Sequence, residues 1–324
     1  MISIIDKLIK NYLADTLNKN NNETDNNAPL SKIHPAVFVL LSLIVVFITY
    51  QVFGGILGYL VLGEDIKNYS SQPMMARIIV SFAQFMFILV PVILLSILQG
   101  NKSKIAFRMK PPKTSVFWLS MLGITVVQPA LQSYLFVQNK IMMNMPFGAE
   151  LISKLKELLD VLEQATLNLV TAQSIPEFIL VVFVIAVTPA ICEEFFFRGL
   201  ILNNFERVMP YGKSIFLTGF IFAIFHFHPF NLIPLILLGF YLTYIVYYSG
   251  SIWTGVAAHF INNFLSAYLV FRFGSENFDK PDGSFTENSV LLVSGIISLI
   301  LFLIIMALIK KNGTERKNKI FVNV

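Results

Sequence analysis

The chain has 324 residues, of which 56% are hydrophobic and 13% charged, with a net charge of +5. Both fractions depart from soluble averages and point to a polytopic membrane protein. The single cysteine, Cys192, excludes an intrachain disulfide and a cysteine metal cluster. The positive charge gathers in short loops and the tail, where it sets membrane orientation and does not signal nucleic acid.

Residues 1–35 are polar overall. Ile4, Ile5, Leu8, Ile9 and Leu13 recur at helical spacing beside Lys7 and Lys10, which predicts a short helix lying on the membrane surface. The Asn-rich run Asn18–Asn27 reads as a flexible linker. Charge interrupts the apolar part and no small-residue cleavage site follows, so the segment does not read as a secretory signal. The first predicted span covers about Ala36–Leu62, with Gly54 and Gly58 as a small-xxx-small hint of close packing. The second covers about Ala76–Leu98. Lys102, Lys104, Arg108, Lys110 and Lys113 follow it and form the strongest cytoplasmic marker of the chain. The third covers about Ser115–Val137. In the stretch 140–175, Leu151, Ile152, Leu155, Leu158, Leu159 and Leu162 alternate with charged residues, which predicts an amphipathic interfacial helix.

The fourth span, about Phe178–Leu202, carries Thr188-Pro-Ala-Ile-Cys-Glu-Glu-Phe-Phe-Phe-Arg198. A charged side chain at mid-bilayer costs roughly 2.5–3.5 kcal/mol on insertion scales, so such residues are paired, packed against other helices, or functional. Glu194 and Arg198 stand four apart and can pair on one face, while Glu193 lies about 100° round the helix and lacks that partner. Pro189 has no N–H to give the carbonyl of Ile185, which permits a kink one turn before the acids. A structural ion pair joining helices is the plain alternative to a functional site. Cys192 reads as a small buried core residue.

The fifth span covers about Ser214–Phe227 and ends at Pro229; the sixth, seventh and eighth cover about Leu232–Tyr248, Ile252–Phe271 and Val290–Ile309. The predicted fold is therefore an all-α polytopic membrane protein of about eight transmembrane helices plus the interfacial helix. Its parts are a polar N-terminal segment (1–35), a membrane domain (36–310, motif core about 178–271) and a basic tail (311–324). With both termini cytoplasmic, eight spans put the basic loop and Lys310, Lys311, Arg316, Lys317 and Lys319 inside. The acidic loop Gly274–Glu287 then lies outside, and Arg77 and Arg272, near outer ends, dissent. The expected location is a bacterial plasma membrane. No internal repeat of the transporter kind is visible.

Of the four histidines, His34 lies in the N-terminal segment and His226, His228 and His259 fall within or at the ends of spans. Phe222 and His226 are one turn apart on the fifth span, and His259 and Asn263 one turn apart on the seventh. At ~1.5 Å rise per residue, Glu193, His226 and His259 lie roughly 15, 19 and 13 Å below the cytoplasmic surface, so they can share one layer. A carboxylate and an imidazole can deprotonate water for attack on an amide carbonyl, while a second imidazole and a side-chain amide donate to the oxyanion. Alternatively, Glu193, His226 and His259 could hold zinc with an open position, although no His-Glu-x-x-His is present. His228, two residues from His226, reads as interfacial.

Three motifs occur in order on successive spans: Glu193-Glu194-x-x-x-Arg198, Phe222-x-x-x-His226 and His259-x-x-x-Asn263. Together they resemble the CAAX prenyl protease 2 and bacteriocin-processing (CPBP, or Abi) family of intramembrane proteases, from about span four to span seven. The resemblance implies that Glu193 and His226 activate the attacking water and that His259 with Asn263 forms the oxyanion hole. Glu194 and Arg198 would support the helix. The family is usually labelled metal-dependent, whereas a glutamate–histidine water mechanism needs no metal; both stay open here. The expected function is an intramembrane endopeptidase acting on a membrane-associated peptide or protein near the cytoplasmic side. A bacteriocin self-immunity or scaffold protein and a proton- or metal-linked transporter are the alternatives weighed.

Overall fold

In lipid, a backbone polar group finds no water, so long apolar segments must satisfy their N–H and C=O groups internally as helices. The computed structural model describes residues 27–63, 72–101, 103–143, 154, 157, 164, 166–274 and 285–313. The expected surface helix, nearly all of the Asn-rich run, the six leucine and isoleucine residues from Leu151 to Leu162 that mark the expected interfacial helix, most of the acidic loop and Arg316–Lys319 lie outside them. The long helices are α1 (Pro35–Leu62), α2 (Pro73–Leu98), α3 (Thr114–Met142), α4 (Ile175–Val208), α5 (Tyr211–Ile224), α6 (Pro229–Ser249), α7 (Ile252–Phe273) and α8 (Asn288–Asn312). They correspond to the eight expected segments. Six are long and apolar enough to cross a membrane, while α5 is a shorter apolar helix and α7 carries His259, Asn262 and Asn263. The outward faces are apolar, with Leu60, Trp118, Ile179 and Val290 among the most exposed side chains. The chain is an integral, multi-pass membrane protein.

The ends of the helices sort onto two faces. On one, the N–H of Leu30 before α1 donates to the carbonyl of Leu98 at the end of α2 (2.9 Å). Lys113, just before α3, donates through Nζ to the carbonyl of Asn312 at the end of α8 (3.0 Å). There too Ile252, opening α7, donates to the carbonyl of Arg108 (3.1 Å). The basic loop, the flank of α1 and the end of α8 thus share one side. Arg108 does not lie free in that basic loop: it is 2% exposed, at φ +52°, and paired with Glu206 of α4. On the opposite face Arg77 of α2 is 1% exposed. Its guanidinium donates to Glu177 (2.7 Å) and to the carbonyls of Leu169 (2.9 Å) and Thr171. That set of acceptors explains an arginine at the end of α2 opposite the basic loop: it is a buried tie between α2 and the start of α4.

In α3 and α4 prolines interrupt the helix, and side chains from neighbours repair the breaks. In α3 the break falls at Val127, just before Gln128 and Pro129. The Ser298 hydroxyl of α8 inserts there, donating to the carbonyl of Val126 (2.5 Å) and accepting from the N–H of Ala130 (3.2 Å). In α4 the turn Phe183–Val187 is π-helical, so that Thr188 and then Pro189 open a fresh α segment, Thr188–Glu194. A second π segment, Phe195–Ile201, follows it. Such widened turns often mark functional sites.

The small-xxx-small hint at Gly54 corresponds to ordinary contact, with Ala83 at 3.6 Å from where a Cβ would stand. The close approach is elsewhere, between α5 and α6. A Cβ on Gly219 would stand 2.5 Å from the backbone nitrogen of Phe240, and one on Gly239 would stand 2.5 Å from the carbonyl oxygen of Gly219. Backbone cannot rotate away as a side chain can. Gly219→Ala is therefore expected to lower the Tm in detergent, with an overpacking cost of about 1–3 kcal/mol. Gly212→Ala on the same helix, with open space around it, should leave the Tm within about a degree.

Candidate active site

The acids of α4 take different partners because they face different ways round the helix. Glu194 is fully buried and its Oε1 accepts from Arg198 Nη1 at 2.7 Å, the expected i,i+4 pair. The same oxygen faces His259 Nδ1 of α7 at 3.0 Å. Arg198, also fully buried, spends its other donors on α6: Nε on Thr243 Oγ1 (3.2 Å) and Nη2 on the carbonyl of Gly239 (3.0 Å). The close Gly219–Gly239 crossing brings that carbonyl within reach. The Phe222 ring lies under the guanidinium, 4.5 Å from centroid to Cζ, an arrangement that favours a desolvated cation. Phe222 also lies 4.5 Å from the His226 ring and 5.9 Å from the His259 ring. The motif phenylalanine is thus the apolar wall shared by the arginine and both imidazoles.

Glu193 points to the other side and is half-buried. Its Oε2 lies 3.8 Å from His226 Nε2, beyond hydrogen-bond length, and has no hydrogen-bond partner although the atom itself is buried. His226 does not sit on the fifth helix, contrary to expectation. Helix α5 ends at Ile224, Phe227 adopts φ +49°, and His228 is extended ahead of Pro229, as the residue before a proline prefers. Fourteen residues of α5 rise only ~21 Å, short of a ~30 Å hydrocarbon layer. The turn thus presents His226 where a regular span would bury the ring against its own helix face. His226 Nδ1 lies 2.7 Å from the carbonyl of Phe222. A carbonyl only accepts, so Nδ1 carries a proton, and it is Nε2 that faces Glu193. His228 accepts from the N–H of Asn231 at 3.2 Å and caps the turn into α6, outside the cluster.

Asn263, one turn beyond His259, donates through Nδ2 to the carbonyl of Ile185 at 3.0 Å. That is the carbonyl Pro189 leaves without a helical donor, so α7 is latched to the break in α4. Cys192 is fully buried. Glycine makes room for the inner acid: a Cβ on Gly255 of α7 would stand 2.5 Å from Glu194 Oε2 and 2.5 Å from Val246 Cγ2. Gly255→Ala should therefore lower both the Tm and any activity that uses His259, whereas Gly55→Ala on α1, with open space around it, should affect neither. Thermal melts of the two purified variants check this. Thr243, Gly239 and Gly255 were not singled out by sequence reasoning; a polar or small residue in an apolar span was the available signal.

The residues do not fit a three-ligand metal centre. Glu193 pairs with one histidine and Glu194 with the other, and among the described residues no group of three or more His, Cys, Asp or Glu could hold a metal ion.

Fold and cluster together define a polytopic helical membrane protein with one acid–imidazole pair buried in its core, Glu194–His259, and a second, Glu193–His226, that is partly exposed. Residues 175–265, which contain all three motifs, match the family described as type II CAAX prenyl endopeptidase Rce1-like. No curated protein and no solved structure matches the chain.

Proposed function

We propose that this protein is an intramembrane endopeptidase that hydrolyses a peptide bond in a membrane-associated peptide or protein. The carrying observation is the gap between Glu193 Oε2 and His226 Nε2: two acceptors, 3.8 Å apart, with no donor between them. One water can donate a hydrogen to each, which orients its oxygen lone pair for attack. As that oxygen bonds to the scissile carbonyl carbon, its proton passes to the Glu193–His226 pair. The carbonyl oxygen becomes an oxyanion. When the C–N bond breaks, the same pair returns the proton to the leaving amine.

His259 and Asn263 receive the oxyanion in this reading. With Nδ1 of His259 turned to Glu194, Nε2 is the ring nitrogen left to face the oxyanion. Glu194 and Arg198 hold the ring rather than touch substrate. A side-chain amide beside it supplies a second donor, and one oxyanion donor is commonly worth about 10²–10³ in kcat. The shared face of basic loop, α1 flank and α8 end supports cytoplasmic termini.

The test is turnover of candidate membrane peptides by purified wild type and His226→Ala. Loss of about 10²–10⁴ in rate is expected, the usual span of acid–base assistance. Equal cleavage by both proteins overturns the assignment. Cells carrying His226→Ala that remain fully protected against a bacteriocin would instead favour an immunity role, and solute flux in proteoliposomes a transporter.

A further inference from the structure

Two side-chain amides outside the family motif, Gln128 and Asn262, run head to tail into Asn263. Gln128, at the break in α3, donates through Nε2 to the carbonyl of Ile124 (3.0 Å) and to Asn262 Oδ1 (3.1 Å). Asn262 Nδ2 then donates to Asn263 Oδ1 (3.1 Å), and Asn263 Nδ2 donates to the carbonyl of Ile185 (3.0 Å). The direction of this chain is forced at both ends. Ile185 and Ile124 offer carbonyl oxygens, which only accept, so Asn263 and Gln128 must turn their NH2 groups toward them. Asn263 Oδ1 is then left pointing at Asn262, which must donate, and Asn262 Oδ1 in turn needs the second hydrogen of Gln128. Reversing any one amide sets oxygen against oxygen or NH2 against NH2. In a half-buried, lipid-clad setting an unmade hydrogen bond of this kind costs about 1–3 kcal/mol, so one orientation dominates.

We propose that Gln128 and Asn262 are positioning residues that fix the orientation of the Asn263 amide. They hold its oxygen away from the site and leave its second N–H for the substrate carbonyl oxygen. The catalytic consequence rests on the endopeptidase reading; the orientation itself does not. An Asn263 amide turned the other way would present its carbonyl to an oxyanion, and like-signed charge there repels the transition state. The chain couples α3, α7 and α4, so the bend at Gln128-Pro129 serves the site by placing the Gln128 side chain across from Asn262.

The test is a double-mutant cycle on the full chain in nanodiscs: wild type, Asn262→Ala, Asn263→Ala and the double variant. Two readouts are taken, turnover of a peptide the wild type cleaves and the 15N-labelled side-chain amide resonance of Asn263. That resonance is identified by its loss in Asn263→Ala. Asn263→Ala should lower kcat by about 10²-fold. Asn262→Ala should lower it about tenfold, with KM within about twofold, and should shift the Asn263 resonance. In the Asn263→Ala background, Asn262→Ala should cost no more than about twofold, because its partner is already gone. Gln128→Leu should move the same resonance in the same direction. Independent, multiplying losses overturn the proposal, as does an Asn263 resonance unmoved by Asn262→Ala. If the wild type cleaves nothing, the endopeptidase reading falls, and the resonance still decides the orientation.

Discussion

Glu193→Gln is expected to abolish peptide hydrolysis while leaving the protein as stable as wild type or more so. Glu193 Oε2 is a buried oxygen without a partner, 3.8 Å from His226 Nε2. An amide NH2 in its place gives that buried position a donor aimed at His226 Nε2. The same change deprives a bridging water of its proton acceptor, for which a loss of about 10²–10⁴ in kcat is the ordinary scale. The measurement pairs a turnover assay with a thermal melt in the same detergent. A variant that keeps its activity removes Glu193 from the chemistry. A variant that loses activity together with its cooperative melt makes the residue structural.

Arg198→Met is expected to fail in the opposite way, by losing the fold. The guanidinium is fully buried and joins Glu194 on its own helix to Thr243 and the Gly239 carbonyl on α6. Removing it leaves the Glu194 carboxylate buried with His259 as its remaining partner. Breaking one side of a buried pair costs about 3–5 kcal/mol, more than replacing the pair outright. The Tm should fall on the order of 10 °C, or the protein should not accumulate in the membrane. Arg198→Lys should not rescue it, because a single ammonium cannot span three acceptors on two helices. A lysine variant with wild-type stability would show that the charge alone suffices. The double variant Arg198→Met with Glu194→Leu should be more stable than Arg198→Met, which separates the orphaned charge from lost packing.

Much of this molecule is written in local spacing. The eight apolar stretches, the pairing of Glu194 with Arg198 and the common face of His259 and Asn263 follow from hydrophobic length and the 3.6-residue turn, which operate within one segment. The vacancy Pro189 leaves at the Ile185 carbonyl follows from covalent chemistry alone. What the sequence could not decide is which acid meets which histidine. Glu193 and Glu194 are neighbours in the chain, yet one faces His226 and the other His259, because that choice depends on how α4, α5 and α7 are rotated about their axes. Those rotations are fixed by contacts between distant residues: Gly219 against Gly239, Gly255 against Glu194, Asn263 against Ile185. The departure of His226 from its expected helix is likewise tertiary in its consequence. Periodicity extends α5 through Phe227, but the chain must turn into α6 and satisfy the Phe222 carbonyl, and the imidazole does so. Sequence thus determined the helices and the chemistry each one carries. Packing alone, through close glycine crossings that no single-helix pattern encodes, decided how those groups meet.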